Sequence, residues 1–338
     1  MKLTLSLCLF CAYLLIPAPA PAFSQADAEI AAAAGSRATD MRVTTIGHRL
    51  AVANLDLCAD RQFLPGFVLH DVSQYGAADR PTAIRAFGFA AGPGVLAVVP
   101  GGPAARAGLR LDDILVSVDG APLPRAERLP REGSFEQMEL ILAAMDRAFA
   151  DGRAEIGVRR GGERIDLSIQ AEQGCASRFQ LVAGRSINAR ADGRYVQVTT
   201  AIAAFAADEQ ELAAVLAHEF AHNVLRHRIR LDAAGIRRGF LGNFGRNARL
   251  IRETEAEADR LGVYLLDRAG YQPEAAVRFW SRLGRRGLNF LGSPTHGSWR
   301  GRVALIQAEI AAIRRARAAG AVPRPGFVRL PLSPLPSA

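Results

Sequence analysis

The stretch His218-Glu219-Phe220-Ala221-His222 constrains this chain more than any other, because it asks for a rigid helix that carries two imidazoles on one face. It lies in a run from Asp208 to His227 dominated by Ala, Leu, Glu and Gln, all good helix formers. Asp208 is a suitable N-cap, and Glu211 stands three residues on in the capping-box position. Leu212, Leu216, Phe220 and Val224 recur at i+4 and predict one buried stripe. Residues four apart on a helix have Cβ atoms about 5–6 Å apart, so His218 and His222 can grip one tetrahedral Zn²⁺. Glu219 is one step round, placed to take a proton from a zinc-bound water without being a ligand.

At the other end, Lys2, the apolar run Leu3–Ile16 and the small residues Ala20-Pro21-Ala22 read as a secretory signal peptide over residues 1–22. The run is short for a permanent span, with an uncleaved anchor as the alternative, and no later stretch reaches the ~18 apolar residues that spanning needs. The mature chain is expected to be exported, to a periplasm or an equivalent compartment. Formal net charge is +9, and Lys2 is the only lysine. The arginines are scattered among Asp and Glu without an aromatic-interleaved basic cluster, which argues against a nucleic-acid partner. His48 and His70 stand alone and read as surface or packing residues.

Residues 80–172 alternate short β-branched runs with Gly/Pro turns, broken by a helix expected over Phe135–Ala150. The segment resembles a PDZ domain. Phe87-Gly88-Phe89 stands where that family has its carboxylate-binding loop, and Gly101–Asp113 matches the signature Pro-Ala-x-x-Ala-Gly-Leu-x-x-x-Asp. The resemblance implies strand addition by an extended peptide, with a free C-terminus held on backbone N–H groups. The second half predicts a strand at Arg194–Thr200, then the His helix, a helix over Ala248–Arg268 ended by Gly270, another from Pro273 to Leu283, and a last one over Gly301–Ala318.

The spacing beyond His222 excludes a metzincin third ligand, since Leu225 and Arg228 occupy the positions that a Gly and a His would need. A carboxylate from the following helix is the alternative. Glu253 with Glu257, or Glu255 with Asp259, share a face, and the period alone leaves both frames open. Val215–His222, Glu255-Ala-Glu-Ala-Asp259, Asn188-Ala189, Gly193–Thr200 and Thr295-His296 with Arg302 together resemble the HtpX and CAAX prenyl protease 1 type of gluzincin, in its soluble periplasmic branch. The resemblance implies that Glu255 is the third zinc ligand and that Asp259 orients His218. It implies His296 and Arg302 near substrate or oxyanion, though Gly297 stands where the family has Pro. It also implies that substrate runs along the Arg194–Thr200 edge near Asn188, Ala189 and Tyr195. Glu253 and Glu257 are then exposed, and His227 is structural.

The expected fold is α+β, a mainly helical zincin-type core with a small sheet and an inserted, β-sandwich-like PDZ domain. The segments are 36–77 and 175–320 for the peptidase core, 78–174 for the PDZ domain and 321–338 for a Pro-rich tail. The implied function is zinc-dependent cleavage of extended or misfolded envelope proteins; a PDZ-containing periplasmic chaperone or adaptor on a zinc-stabilised scaffold is the competing reading. Cys58 and Cys175 are the cysteines left after signal removal, they flank the insertion, and an oxidising compartment is expected to join them.

Overall fold

In a computed structural model the chain is described over residues 25–89, 92–236, 245–287, 298–328 and 330–335, with backbone alone for 25–34. Residues 1–22, expected to be a signal peptide, residues 237–244 and His296 lie outside these residues. Among those described, no helix is long and apolar enough to cross a membrane.

The long helix α1 (Gln25–Ala53) opens the fold and buries Val43, Ile46 and Leu50. Strand β1 (Arg61–Leu64) pairs antiparallel with β8 (Glu172–Cys175) to form a two-stranded ribbon. Between them lies the inserted unit: β2 (Phe67–His70), α2 (Arg80–Phe87), β3 (Gly94–Val98), α3 (Pro103–Arg106), β4 (Ile114–Val118), β5 (Ala121–Pro122), α4 (Glu136–Ala148), β6 (Arg153–Arg160) and β7 (Glu163–Gln170). The strands form a sheet in the order β2-β3-β4-β6-β7, with β5 paired to β4. Alternate residues of β6 (Ala154, Ile156, Val158) turn inward and meet Met138, Ile141 and Met145 of α4, the period-2 and period-3.6 patterns closing on one core. Strand β2 falls within the segment 36–77 expected for the peptidase core, but it pairs with β3 as one edge of this sheet.

After β8 come β9 (Arg178–Val182), β10 (Ala189–Ala191), β11 (Tyr195–Thr199), α5 (Thr200–Phe205), α6 (Glu209–Val224), α7 (His227–Ala233), α8 (Gly245–Arg268), α9 (Glu274–Arg285) and α10 (Trp299–Ala318). The three-stranded sheet runs β10-β11-β9, with β11 antiparallel to β10 and parallel to β9. The strand expected at the edge is therefore central. Its burial explains why: Val196 and Val198 are fully buried and Tyr195 and Thr199 nearly so, and the short β10 takes the edge. The sheet packs on α1 where the ring of Phe179 lies against Gly47, and a Cβ at Gly47 would come within 2.1 Å of that ring.

Helix α6 is the axis of the larger core. Asp208 caps it through Oδ1, which accepts from the Glu211 N–H at 2.8 Å. The Glu211 carboxylate reaches back to the Ala207 N–H at 2.9 Å and is paired with Arg282. Leu212, Leu216, Phe220 and Val224 are buried as the i+4 stripe requires, each fully buried large side chain contributing about 1.5–3 kcal/mol. Ala213, Ala214, Val215, Ala217 and Ala221 are buried too, so this is a helix surrounded by protein on nearly every side. The Pro-rich tail is irregular but docked: Leu335 is buried with Leu231, Ile236 and Leu250, and Phe327 lies under the Arg260 guanidinium at 4.0 Å.

Candidate active site

Helices α6 and α8 cross so that His218, His222 and Glu255 converge, with one ligating atom of each within 4.8 Å of the others. The Nε2 atoms of the two rings are 3.4 Å apart. Glu255 Oε2 is 3.4 Å from His218 Nε2, and Oε1 is 3.5 Å from His222 Nε2. Two imidazole nitrogens and a carboxylate oxygen facing one point are the donor set of a zinc site with an open fourth position, so the residues fit that ion. Glu219 sits beside them, 3% exposed, and its Oε1 is a buried atom without a hydrogen-bond partner among the described residues.

The electrostatics follow from burial and charge. Desolvation, with the Glu255 and Asp259 charges adding to it, pushes the Glu219 pKa up to about 7. Burial works to lower the pKa of His218, but hydrogen bonds to Asp259 and Glu255 overcome it and raise the pKa to about 9. Burial holds His222 down to about 3.

Each ring is braced from behind. His218 Nδ1 is 3.0 Å from Asp259 Oδ1, the contact expected for a carboxylate that fixes the ring. Arg302 grips the same carboxylate with Nε at 2.8 Å and Nη2 at 2.5 Å, and its guanidinium lies 3.7 Å from the centre of the Trp280 ring. Arg302 is 7% exposed, and its guanidinium is spent on Asp259 rather than turned to substrate, which corrects the expected place near the oxyanion. Losing one partner of so buried a pair typically costs about 3–5 kcal/mol.

On the other side His222 Nδ1 is 2.9 Å from His227 Nδ1, and His227 Nε2 is 2.9 Å from Glu257 Oε2, which also accepts from Arg230 Nη1 at 2.8 Å. Sequence reasoning set His227 off the ligand face and Glu257 outward. The helical period fails there because α6 ends at Val224 and Arg226 adopts a left-handed φ of 51°, which swings His227 back onto the site as the first residue of α7. Glu253, paired with Arg249 at 3.6 Å, does face outward. Asn223, not singled out by any motif, stitches α6 to the sheet: it accepts from the Gly193 N–H at 2.8 Å and donates to Ser177 Oγ at 2.9 Å.

Asn188 and Ala189 lie at β10, where the Asn188 carbonyl accepts from the Thr199 N–H at 3.0 Å. Tyr195, expected along the substrate path, instead donates its hydroxyl to Glu139 Oε1 of α4 at 2.5 Å and so joins the two units. Burial and that carboxylate raise its pKa.

Phe87-Gly88-Phe89 is the end of α2, with Gly88 as its left-handed C-cap. Both rings are buried against His70, with centroids 4.7 and 4.2 Å from it, so this triplet is a packing cluster and not a carboxylate loop. Strand β2 is one edge of the sheet, with β7 at the other, and it is entered through Leu64-Pro65-Gly66-Phe67, where Gly66 has a φ of +79°. A cavity of about 120 Å³ lies beside it, walled by Phe67, Met138, Leu142 and Met145 and closed by His48 of α1 and Phe179 of β9.

Cys58 and Cys175 are bonded, with Cα atoms 5.7 Å apart, at the foot of the β1–β8 ribbon.

The model of peptidase family M48 matches residues 166–244, and that of the PDZ domain matches residues 94–129. The first contains His218, Glu219 and His222 and stops short of Glu255. Over 121 residues the chain is 35% identical to the mitochondrial metalloendopeptidase OMA1 of Schizosaccharomyces pombe, covering 29% of this chain and 36% of that protein. Over 134 residues it is 30% identical to the putative beta-barrel assembly-enhancing protease of Vibrio cholerae, covering 31% and 28%. Over 79 residues it is 33% identical to the putative serine protease HhoA of Synechocystis, covering 23% and 17%. The chain thus spans about a third or less of the length of these relatives. Residues 166–244, with the His-bearing helix, are thus similar to peptidase family M48, and residues 94–129 of the separate β unit are similar to a PDZ domain.

Proposed function

We propose that the chain is an exported zinc endopeptidase acting on extended or unfolded protein, with His218, His222 and Glu255 as the metal ligands. The observation that carries this reading is the meeting of those three side chains on α6 and α8, with the buried Glu219 Oε1, unpartnered among the described residues, beside them. Zinc bound by these residues would supply Lewis-acid polarisation of the scissile carbonyl and would bring the pKa of a bound water to around 7. Glu219, buried beside the three ligands, is placed to take the proton from the attacking water and return it to the leaving amine. Asp259, clamped by Arg302, keeps the His218 ring in one orientation. Strand β10 (Ala189–Ala191) is an edge of the three-stranded sheet, and in this reading an extended substrate pairs antiparallel along its outer side.

The peptidase core in this reading comprises residues 36–64 and 175–320, and the PDZ unit starts with β2. Its groove between β2 and α4 takes an extended segment or C-terminus of substrate or partner. The Cys58–Cys175 bond supports an oxidising compartment such as a periplasm. Purified protein with about one zinc per chain should cleave unfolded casein, stop when zinc is chelated, and recover when zinc is restored. A chain that binds zinc but only protects casein from aggregation would point to the adaptor reading instead.

A further inference from the structure

We propose that His227 is a positioning residue for His222, anchored by Glu257 and Arg230, and that this relay decides which nitrogen of His222 keeps its lone pair for the metal. The inference rests on the reading of His222 as a ligand. His222 turns Nε2 toward His218 and Glu255, at 3.4 and 3.5 Å, and leaves Nδ1 facing away at 2.9 Å from His227 Nδ1. Two ring nitrogens at that distance share one hydrogen, one donating and the other accepting.

The direction of sharing is set from the far end. Arg230 can only donate, and it donates to Glu257 Oε2 at 2.8 Å. An ionised Glu257 can only accept, so His227 presents its hydrogen on Nε2, 2.9 Å from the same oxygen. A neutral His227 with hydrogen on Nε2 has only a lone pair on Nδ1. His222 must therefore donate from Nδ1, and its Nε2 lone pair is left facing the cluster. The partner ring reaches the same state by a shorter route, through Asp259 and Arg302. Each histidine of the site thus ends on a carboxylate held by an arginine, and the His222 arm has an imidazole interposed.

The test uses two substitutions that split the two nitrogens of His227 in the full-length protein. His227→Asn keeps an acceptor near the place of Nδ1 and loses the reach to Glu257. His227→Gln reaches the place of Nε2 and leaves nothing to accept from His222. Zinc release into excess chromophoric chelator should be faster by about 10-fold or more in His227→Gln, within the range typical of lost outer partners, and much less changed in His227→Asn. The absorption spectrum of the cobalt-substituted protein should shift in His227→Gln and stay near wild type in His227→Asn. Equal acceleration in both would make His227 a packing residue and overturn the proposal, as would wild-type release from both. Should neither variant fold, Glu257→Ala, changed at the partly exposed end of the relay, should speed zinc release several-fold; an unchanged rate would overturn it. Wild-type protein that holds no zinc at all would overturn the reading of the site together with this inference, whereas stoichiometric zinc with unaffected variants would sink the relay alone.

Discussion

At the residue scale the site depends on which carboxylate of α8 faces α6. Glu255 is 9% exposed and 3.4 Å from His218, while Glu253 points to solvent beside Arg249. Glu255→Ala should therefore lose bound zinc, as elemental analysis after gel filtration would read, and Glu253→Ala should keep it with a stability change within about 0.5 kcal/mol. Zinc lost from Glu253→Ala and kept by Glu255→Ala would reverse the frame. Periodicity alone left both frames open, and the family resemblance chose between them. It could not reveal His227, because a single left-handed residue, Arg226, breaks the helical count that the sequence reading extended through it. Arg302 was legible as a site residue but not in its task, since pairing to Asp259 depends on where α10 crosses α8.

At the scale of elements, α6 was legible in full: cap, stripe and ligand face are local features, and the structure reproduces each. Sheet order was not, because the period of a strand reports its buried faces and not its neighbours; β11 is buried on both and so central. The Phe87-Gly88-Phe89 triplet misled for a related reason, as the same residue types serve a helix C-cap and an apolar cluster. That cluster adjoins the part of α1 where Asp40 sits near Arg37 and Tyr75. Burial raises the Asp40 pKa to about 7, against the pull of Arg37. A folded-state pKa above the unfolded value of about 3.9 means stability that is full below that value and lost as pH rises through about 7. Asp40→Asn stays neutral, so it should gain melting temperature relative to wild type at pH 8, with the gap closing toward pH 4. A gap that does not change with pH would show that Asp40 ionises freely in the fold.

At the scale of the whole molecule, the insertion leaves and re-enters the mainly helical core through one neck. Arg61 pairs with Cys175 across the β1–β8 ribbon, and the Cys58–Cys175 bond closes a separation of 117 residues beneath it. Tyr195 with Glu139, and Arg178 with Asp146, then fasten α4 to the sheet β10-β11-β9. A loop of that length corresponds to up to about 4–5 kcal/mol in the chain-entropy account of disulfides. Replacing both cysteines by serine should lower the denaturant midpoint accordingly, and reducing the wild-type protein should bring it to the same midpoint. Identical unfolding curves for oxidised and reduced protein would contradict that role of the bond.

The central claim, that this chain hydrolyses peptide bonds with Glu219 as base at a zinc held by its neighbours, meets its most direct test in Glu219→Gln. The amide keeps the shape of the side chain and removes no ligand, so the variant should carry about one zinc per chain as the proposed stoichiometry requires. Its thermal unfolding should stay near wild type, and its cleavage of unfolded casein should fall by at least about 100-fold, the lower range for losing a general base. Zinc-loaded Glu219→Gln that still cleaved at more than a few per cent of the wild-type rate would contradict the account.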